Sequence, residues 1–396
     1  MQFTENRQAD RLRVIPFSGI RRVSERANQL DREGKTVIHM EIGRPDFDTP
    51  AHIKRTAVQA LDEGFIHYTS NYGILSLRQA IAEKLRRDNQ IQVDPEGELI
   101  VTVGAAEALS IAMLAFLNPD DQVLVPDPAW INYFSAPRLA GAQVITYSLR
   151  PERGFQPDPD ELAKQITPRT RMLLVNSPGN PTGRIIDRET LAAIADLAVA
   201  RNLLVVSDEI YEKIVYDGAE HVSVASLPGM AERTLTVNGF SKAYAMDGWR
   251  LGYVAAARPL IAAMIRVRQN LTTTPASFAQ VGAVAAYRGD QACVEEMRRE
   301  FDRRRQYLVA ALNDIPGLSC LRPQGAFYAF PSIKALGLNS AEVAELLLEE
   351  AHVAVVAGSA FGQNGEGFIR LSYATAYEEI VEAVDRMRVL FGRMTG

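Results

Sequence analysis

Short runs of apolar, often β-branched residues recur through the middle of the chain. They lie at residues 99–103, 122–125, 143–148, 171–175, 203–207, 234–237 and 251–255. Between several of them the apolar positions return every three or four residues, as at 107–117, 160–165 and 189–201. Runs with no polar alternation, bounded by Gly, Pro and Asn, predict strands covered on both faces. The helical spacing between them predicts crossovers. Together they predict an α/β fold whose large domain is a mostly parallel seven-stranded sheet with helices on both faces.

The last third differs. The periodicity predicts one long helix over 276–313, followed by Gly325-Ala-Phe-Tyr-Ala-Phe330, a helix over 340–350 and strand-like runs at 354–356 and 367–372. This predicts a smaller α/β domain from the N- and C-terminal segments. The expected division is a segment 1–45 packing with the small domain, a large domain 46–275, and a small domain 276–396 that includes the linking helix.

Composition narrows the class of protein. A hydrophobic share of 47% against a charged share of 23% is that of a soluble globular chain. The net charge of −5 gives no footprint for nucleic acid or an anionic membrane. No apolar stretch reaches the length of a membrane span, and 1–7 lacks the basic-then-apolar order of a secretory signal. Cys293 and Cys320 form no CxxC pair, so the expectation is no structural disulfide, no cysteine metal site and a cytoplasmic location.

In a parallel α/β sheet, ligands bind beyond the carboxyl ends of the strands, so the chemistry is sought just after each run. After Val103, Gly104-Ala-Ala106 opens a helix. Small residues and free N–H groups there suit a phosphate, and an ordinary turn is the plain alternative. After Val175, Asn176-Ser-Pro-Gly-Asn-Pro-Thr-Gly183 is stiffened by two prolines, which holds the Asn180 amide at the strand end. After Val206 comes Ser207-Asp-Glu-Ile-Tyr211. A carboxylate there needs a cation to stay ionised, or else Asp208 caps a helix.

The fourth strand end is Asn238-Gly-Phe-Ser-Lys-Ala-Tyr-Ala-Met-Asp-Gly-Trp-Arg250. It sets Lys242 and Arg250 close together between apolar runs, where like charges raise each other's cost. A surface lysine is the plain alternative, and the apolar flanks oppose it. One ligand would use all four ends at once: a phosphate at Gly104, Ala105, Ala106, Ser241 and Arg250, a protonated ring nitrogen at Asp208, a ring oxygen at Asn180 and Tyr211, and an aldehyde for the Lys242 amine. Pyridoxal 5′-phosphate is that ligand.

With these residues in place, the chain closely resembles the fold-type I pyridoxal-phosphate-dependent aminotransferases of class I/II, from Gly43-Arg-Pro-Asp-Phe-Asp-Thr-Pro50 to Arg370. The most specific motifs are 176–183, 208–211, Ser241-Lys242 and Gly248-Trp-Arg250. The resemblance implies amino transfer from an L-amino acid to a 2-oxo acid by a ping-pong route through a lysine Schiff base. It implies Lys242 as imine former and then general acid/base, Asp208 at the ring nitrogen, and Asn180 and Tyr211 at the ring hydroxyl. It also implies Trp130 stacked on the ring, and Arg370, with Gly43 and Asn180, at the substrate carboxylate. Tyr68 would reach the phosphate of a neighbouring subunit, which implies a homodimer. No metal is implied.

Two positions depart from the family pattern. Gly239 stands where many relatives have Ser or Thr, and Arg44 where many have an acid. A lyase or decarboxylase on the same fold is the alternative activity. A ligand-sensing module lacks a basic domain before residue 45, and a nucleotide-binding protein lacks GxxxxGK[ST] and GxGxxG. The substrate side chain stays open: Phe17, Ile20 and Tyr72 suit aromatic or aliphatic donors, and Arg21, Arg22, Arg44 and Arg138 have no assigned place.

Overall fold

The computed structural model describes residues 7–395. An N-terminal helix, Gly19–Arg32, is capped by Ser18, whose hydroxyl accepts from the Arg21 N–H. Strand β1 (Ile38–His39) follows. The central sheet is built from β2 (Leu99–Thr102), β3 (Gln122–Asp127), β4 (Gln143–Ser148), β5 (Thr170–Asn176), β6 (Leu204–Asp208), β7 (Thr234–Gly239) and β8 (Gly252–Ala255), in the order β2-β8-β7-β6-β5-β3-β4. Every neighbouring pair from β7 to β4 is parallel; β8 alone runs against both β7 and β2.

The apolar runs are strands because both faces are buried. Val123 and Val125 pack with Ala108, Leu109 and Ala112 of the helix Gly104–Phe116. Leu124, between them, points the other way and packs with Leu191, Ile194 and Ala198 of the helix Arg188–Ala200. That alternation leaves no wet face, which is why the sequence runs are continuously apolar.

The 276–313 segment is two helices, Ser277–Arg288 and Ala292–Asn313, rather than one. Gly289 is extended, and a Cβ there would stand 2.5 Å from the Ala285 carbonyl oxygen and 2.8 Å from His52 Nε2. The close approach of His52 needs the glycine, and the glycine ends the first helix. The run at 354–356 also divides. β9 (Tyr328–Ala329), β11 (Val356–Ala357) and β12 (Ile369–Ser372) form an antiparallel sheet, whereas β10 (Val353–Ala354) pairs in parallel with β1. A separate core joins these strands to the helices Ala292–Asn313, Ser340–Glu349 and Tyr377–Thr395.

Both cysteines are unpaired. Among the described residues no helix is long and apolar enough to cross a membrane.

Candidate active site

The carboxyl ends of β5, β6 and β7 deliver Asn180, Asp208 and Lys242 to one cavity of about 420 Å³. Because β8 runs the opposite way, its start lies at this same edge, and Arg250 stands two residues before it. Gly43, Ala105, Ala106, Trp130, Tyr211, Ser241 and Arg370 complete the set that the structure brings together. Gly104 does not line the cavity but shapes it. It has φ +73°, and a Cβ there would stand 2.7 Å from Arg250 Nη2.

Tyr68 is not gathered into this cavity. It is 88% exposed on the surface of the single chain. Phe17 is likewise exposed, and Tyr72 packs beside the core beneath the Arg78 guanidinium, so neither is a cavity wall. Arg44 stands in solvent outside the cavity, and Arg138 bonds the Val14 carbonyl. Ile20 and Arg21 do line it, together with Ser18 and Ser24 from the N-terminal helix.

Asp208 is fully buried, and burial raises its carboxyl to about 6. Two donors oppose that rise: the Tyr133 hydroxyl at 2.8 Å on Oδ2 and the Ile210 N–H at 3.2 Å on Oδ1. The Ile210 contact belongs to a turn, so the helix-cap alternative does not hold. Asn176 donates its amide to the Asp208 carbonyl at 3.0 Å and accepts from the Asn180 N–H at 2.9 Å, tying two strand ends together.

The Lys242 amine is buried too, and burial lowers it to about 8. Arg250 and Arg370 add to the fall, while Asp247 and Asp208 oppose it. It donates to the Gly43 carbonyl at 2.6 Å. Arg370 is wholly buried, bonded to the Glu41 carbonyl and, at 3.3 Å, to Asn180 Oδ1. Its Nε has no partner among the described residues. The rings of Tyr328 and Phe361 lie 4.6 and 5.0 Å from the guanidinium carbon.

Two tyrosines carry the site without having been singled out in the sequence. Tyr133 holds Asp208, and Tyr328 bonds the Tyr211 hydroxyl at 2.7 Å. Tyr328 also explains Gly43, where a Cβ would stand 1.9 Å from its hydroxyl. At Gly239 a Cβ would meet the Leu251 carbonyl at 2.8 Å and Gly252 Cα at 2.9 Å. The chain is too tightly packed there for a serine or threonine hydroxyl.

The donor set fits pyridoxal 5′-phosphate. Four basic side chains, Arg21, Lys242, Arg250 and Arg370, line the cavity with one buried carboxylate, Asp208, and the Nε of Arg370 has no partner among the described residues. The early N–H groups of the helix Gly104–Phe116 stand beside them. A phosphate and a substrate carboxylate would supply negative charge to such a cavity. Behind this wall, Glu209, Glu212 and His221 bring ligand-capable atoms within 4.8 Å of one another, but the Lys84 amine already serves Glu212 as its cation.

This fold and site define an aminotransferase. A profile of the family described as "Aminotransferase class I and II" matches residues 35–387. The aspartate aminotransferase of Pyrococcus abyssi is 49% identical over 381 residues, covering 96% of this chain and 97% of that protein. The aromatic-amino-acid aminotransferase 2 of Thermococcus litoralis is 47% identical with the same coverage. The aspartate aminotransferase from Thermus thermophilus, solved with maleate, superposes with a TM-score of 0.93 at 42% identity, covering 97% of this chain and 99% of that one. The chain belongs to the class I and II aminotransferases, and pyridoxal 5′-phosphate is its cofactor.

Proposed function

We propose that this enzyme moves an amino group from an L-amino acid to a 2-oxo acid in two half-reactions at the one cavity, with Lys242 as covalent anchor and proton carrier. The buried, depressed amine of Lys242 is the observation that carries this reading. Bound pyridoxal 5′-phosphate supplies an aldehyde for an amine and a protonated ring that withdraws electrons from the substrate Cα.

The residues do the rest. Asp208 stays anionic opposite the ring nitrogen, fixed by Tyr133 and Ile210. Asn180 and Tyr211 would bond the ring oxygen, and Trp130 would cover the ring. Gly104, Ala105, Ala106, Ser241 and Arg250 would hold the phosphate. Arg370 takes the substrate α-carboxylate with two parallel N–H donors, near Gly43 and Asn180, which orients the Cα–H. Lys242 Nζ, as free amine, would accept that proton and carry it within the cavity. A pKa near 8 keeps a useful fraction as free amine at neutral pH.

The division at residues 45 and 275 suits these parts, with Arg370 supplied by the C-terminal portion and Lys242 by the central sheet; residues 1–6 lie outside the described residues. Exposed Tyr68 suits a homodimer in which it reaches the partner's phosphate. The unpaired cysteines suit a reducing cytoplasm. The relatives give the lyase or decarboxylase alternative no support.

The test is Lys242→Ala. It should abolish both turnover and the visible band of the lysine-bound cofactor. Substantial transamination by that variant, or failure of the wild type to convert an added 2-oxo acid stoichiometrically into a new amino acid, refutes the assignment.

A further inference from the structure

Asp127 ends β3, three residues before Trp130, and is 3% exposed. Its carboxylate is met by backbone rather than by a cation. Oδ2 accepts the Gln363 N–H at 3.1 Å and Oδ1 the Asn364 N–H at 3.0 Å. The neighbouring backbone repeats the link, since the Ala129 N–H donates to the Phe361 carbonyl at 2.7 Å. The Asn364 side chain donates to Ser148 Oγ at 3.2 Å, on the strand beside β3. Gly362 lies inside this clamp with φ +125°, and a Cβ there would stand 2.1 Å from Asp127 Oδ1. A side chain at 362 and a carboxylate at 127 therefore exclude each other.

The clamped turn leads to the site. Phe361 is wholly buried, and the Arg370 guanidinium carbon lies 5.0 Å from its ring centre. Arg370 has few other restraints: the Glu41 carbonyl, Asn180 and the Tyr328 ring. A shift of the 361–364 turn moves one of the two aromatic faces that hold the guanidinium.

We propose that Asp127 is a positioning residue for substrate binding, fixing the 361–364 turn and, through Phe361, the guanidinium of Arg370. The inference rests on Arg370 taking the α-carboxylate. It adds a group from the β3 end that touches neither substrate nor cofactor yet sets how well the carboxylate is received.

The test uses coenzyme-loaded D127N and G362A with L-aspartate and 2-oxoglutarate, both of which carry an α-carboxylate. An asparagine turns one acceptor into a donor facing an N–H, so the clamp loses a charged hydrogen bond. The loosened turn lets the Arg370 fork drift from the carboxylate, and misplacement of a positioning group costs roughly tenfold or more. The expected result is KM raised roughly tenfold or more for both substrates, kcat within about twofold, and an unchanged cofactor band. G362A attacks the same clamp from the other side and should give the same split, so the inference stands on either variant that folds. Unchanged KM in the folded variants, a fall in kcat with altered cofactor absorbance, or recovery of neither variant as folded protein overturns it. Where the wild type does not take L-aspartate the same comparison is made with L-tyrosine, and a wild type that transaminates neither would instead refute the functional reading beneath it.

Discussion

Replacing Asp208 by asparagine should stabilise the coenzyme-free protein while disabling the enzyme. The carboxyl is pushed from 3.8 to about 6 by burial, a rise of about 2 units. At roughly 1.4 kcal/mol per unit, its ionisation costs the folded state about 3 kcal/mol. Asparagine keeps the shape: Oδ1 can still accept the Ile210 N–H, and the Tyr133 hydroxyl can turn to accept from the amide. The folded pKa lies above the unfolded one, so the cost is absent below pH about 4, grows between 4 and 6, and is complete above 6. An unfolding entropy of roughly 2.1 cal/mol/K per residue over 396 residues is about 0.8 kcal/mol/K, so the gain is about 3–4 °C in Tm. Scanning calorimetry of both coenzyme-free proteins at pH 8 and pH 4.5 is the assay. The variant should lead at pH 8, the gap should shrink at pH 4.5, and added pyridoxal 5′-phosphate should favour the wild type. An equal Tm at pH 8, or a gap independent of pH, refutes the argument that desolvation dominates at Asp208.

Two further substitutions probe the carboxylate end. Arg370→Lys keeps the charge but loses the fork, so KM for both amino and oxo acid should rise by about tenfold to a hundredfold, read by steady-state kinetics. Gly43→Ala places a methyl where the Tyr328 hydroxyl stands, breaking its bond to Tyr211 and moving the carbonyl that Lys242 uses. kcat/KM should fall by about a hundredfold with an altered cofactor band, and a normal band with normal kinetics would show that the backbone yields freely.

The strands were legible because burial on both faces writes itself as unbroken apolar runs. Strand direction is not written in the runs themselves: 251–255 looks like its neighbours, yet β8 runs antiparallel to both β7 and β2. The break at Gly289 was hidden because its cause is His52, more than two hundred residues away in sequence. Lys242, Asp208, Asn180 and Arg250 could be picked out as charged or rigidly held polar groups beside strand ends, whereas Arg370, inside β12, was marked only by the family resemblance. Tyr133 and Tyr328 could not, since a tyrosine among apolar neighbours reads as core until its hydroxyl partner is known. Tyr133 left one clue, lying three residues beyond Trp130 at the same helix start. For Tyr328 the sequence carried none, because its meaning depends on Gly43 and Tyr211. Tyr68 raises a different obstacle: the role expected of it lies on another copy of the chain.

Lys242 and Arg250 stand close together between apolar runs because the protein alone does not balance the charge of its cavity. Arg250 and Arg370 both push the Lys242 amine towards its neutral form, and burial pushes it further. In the proposed reading neutral Lys242 attacks an aldehyde and accepts a proton, so the arrangement that makes the charged amine costly would also prepare a nucleophile. Asp208 is the mirror case, a carboxylate whose charge burial penalises and which Tyr133 and Ile210 relieve in part; in the proposed reading a cationic ring would relieve it further. Each group is most uncomfortable in the absence of the partner it is built to meet. In the proposed reading, the binding energy of phosphate, ring nitrogen and substrate carboxylate would include relief of this electrostatic cost, the stability–function trade-off expected where titratable groups are buried for chemistry.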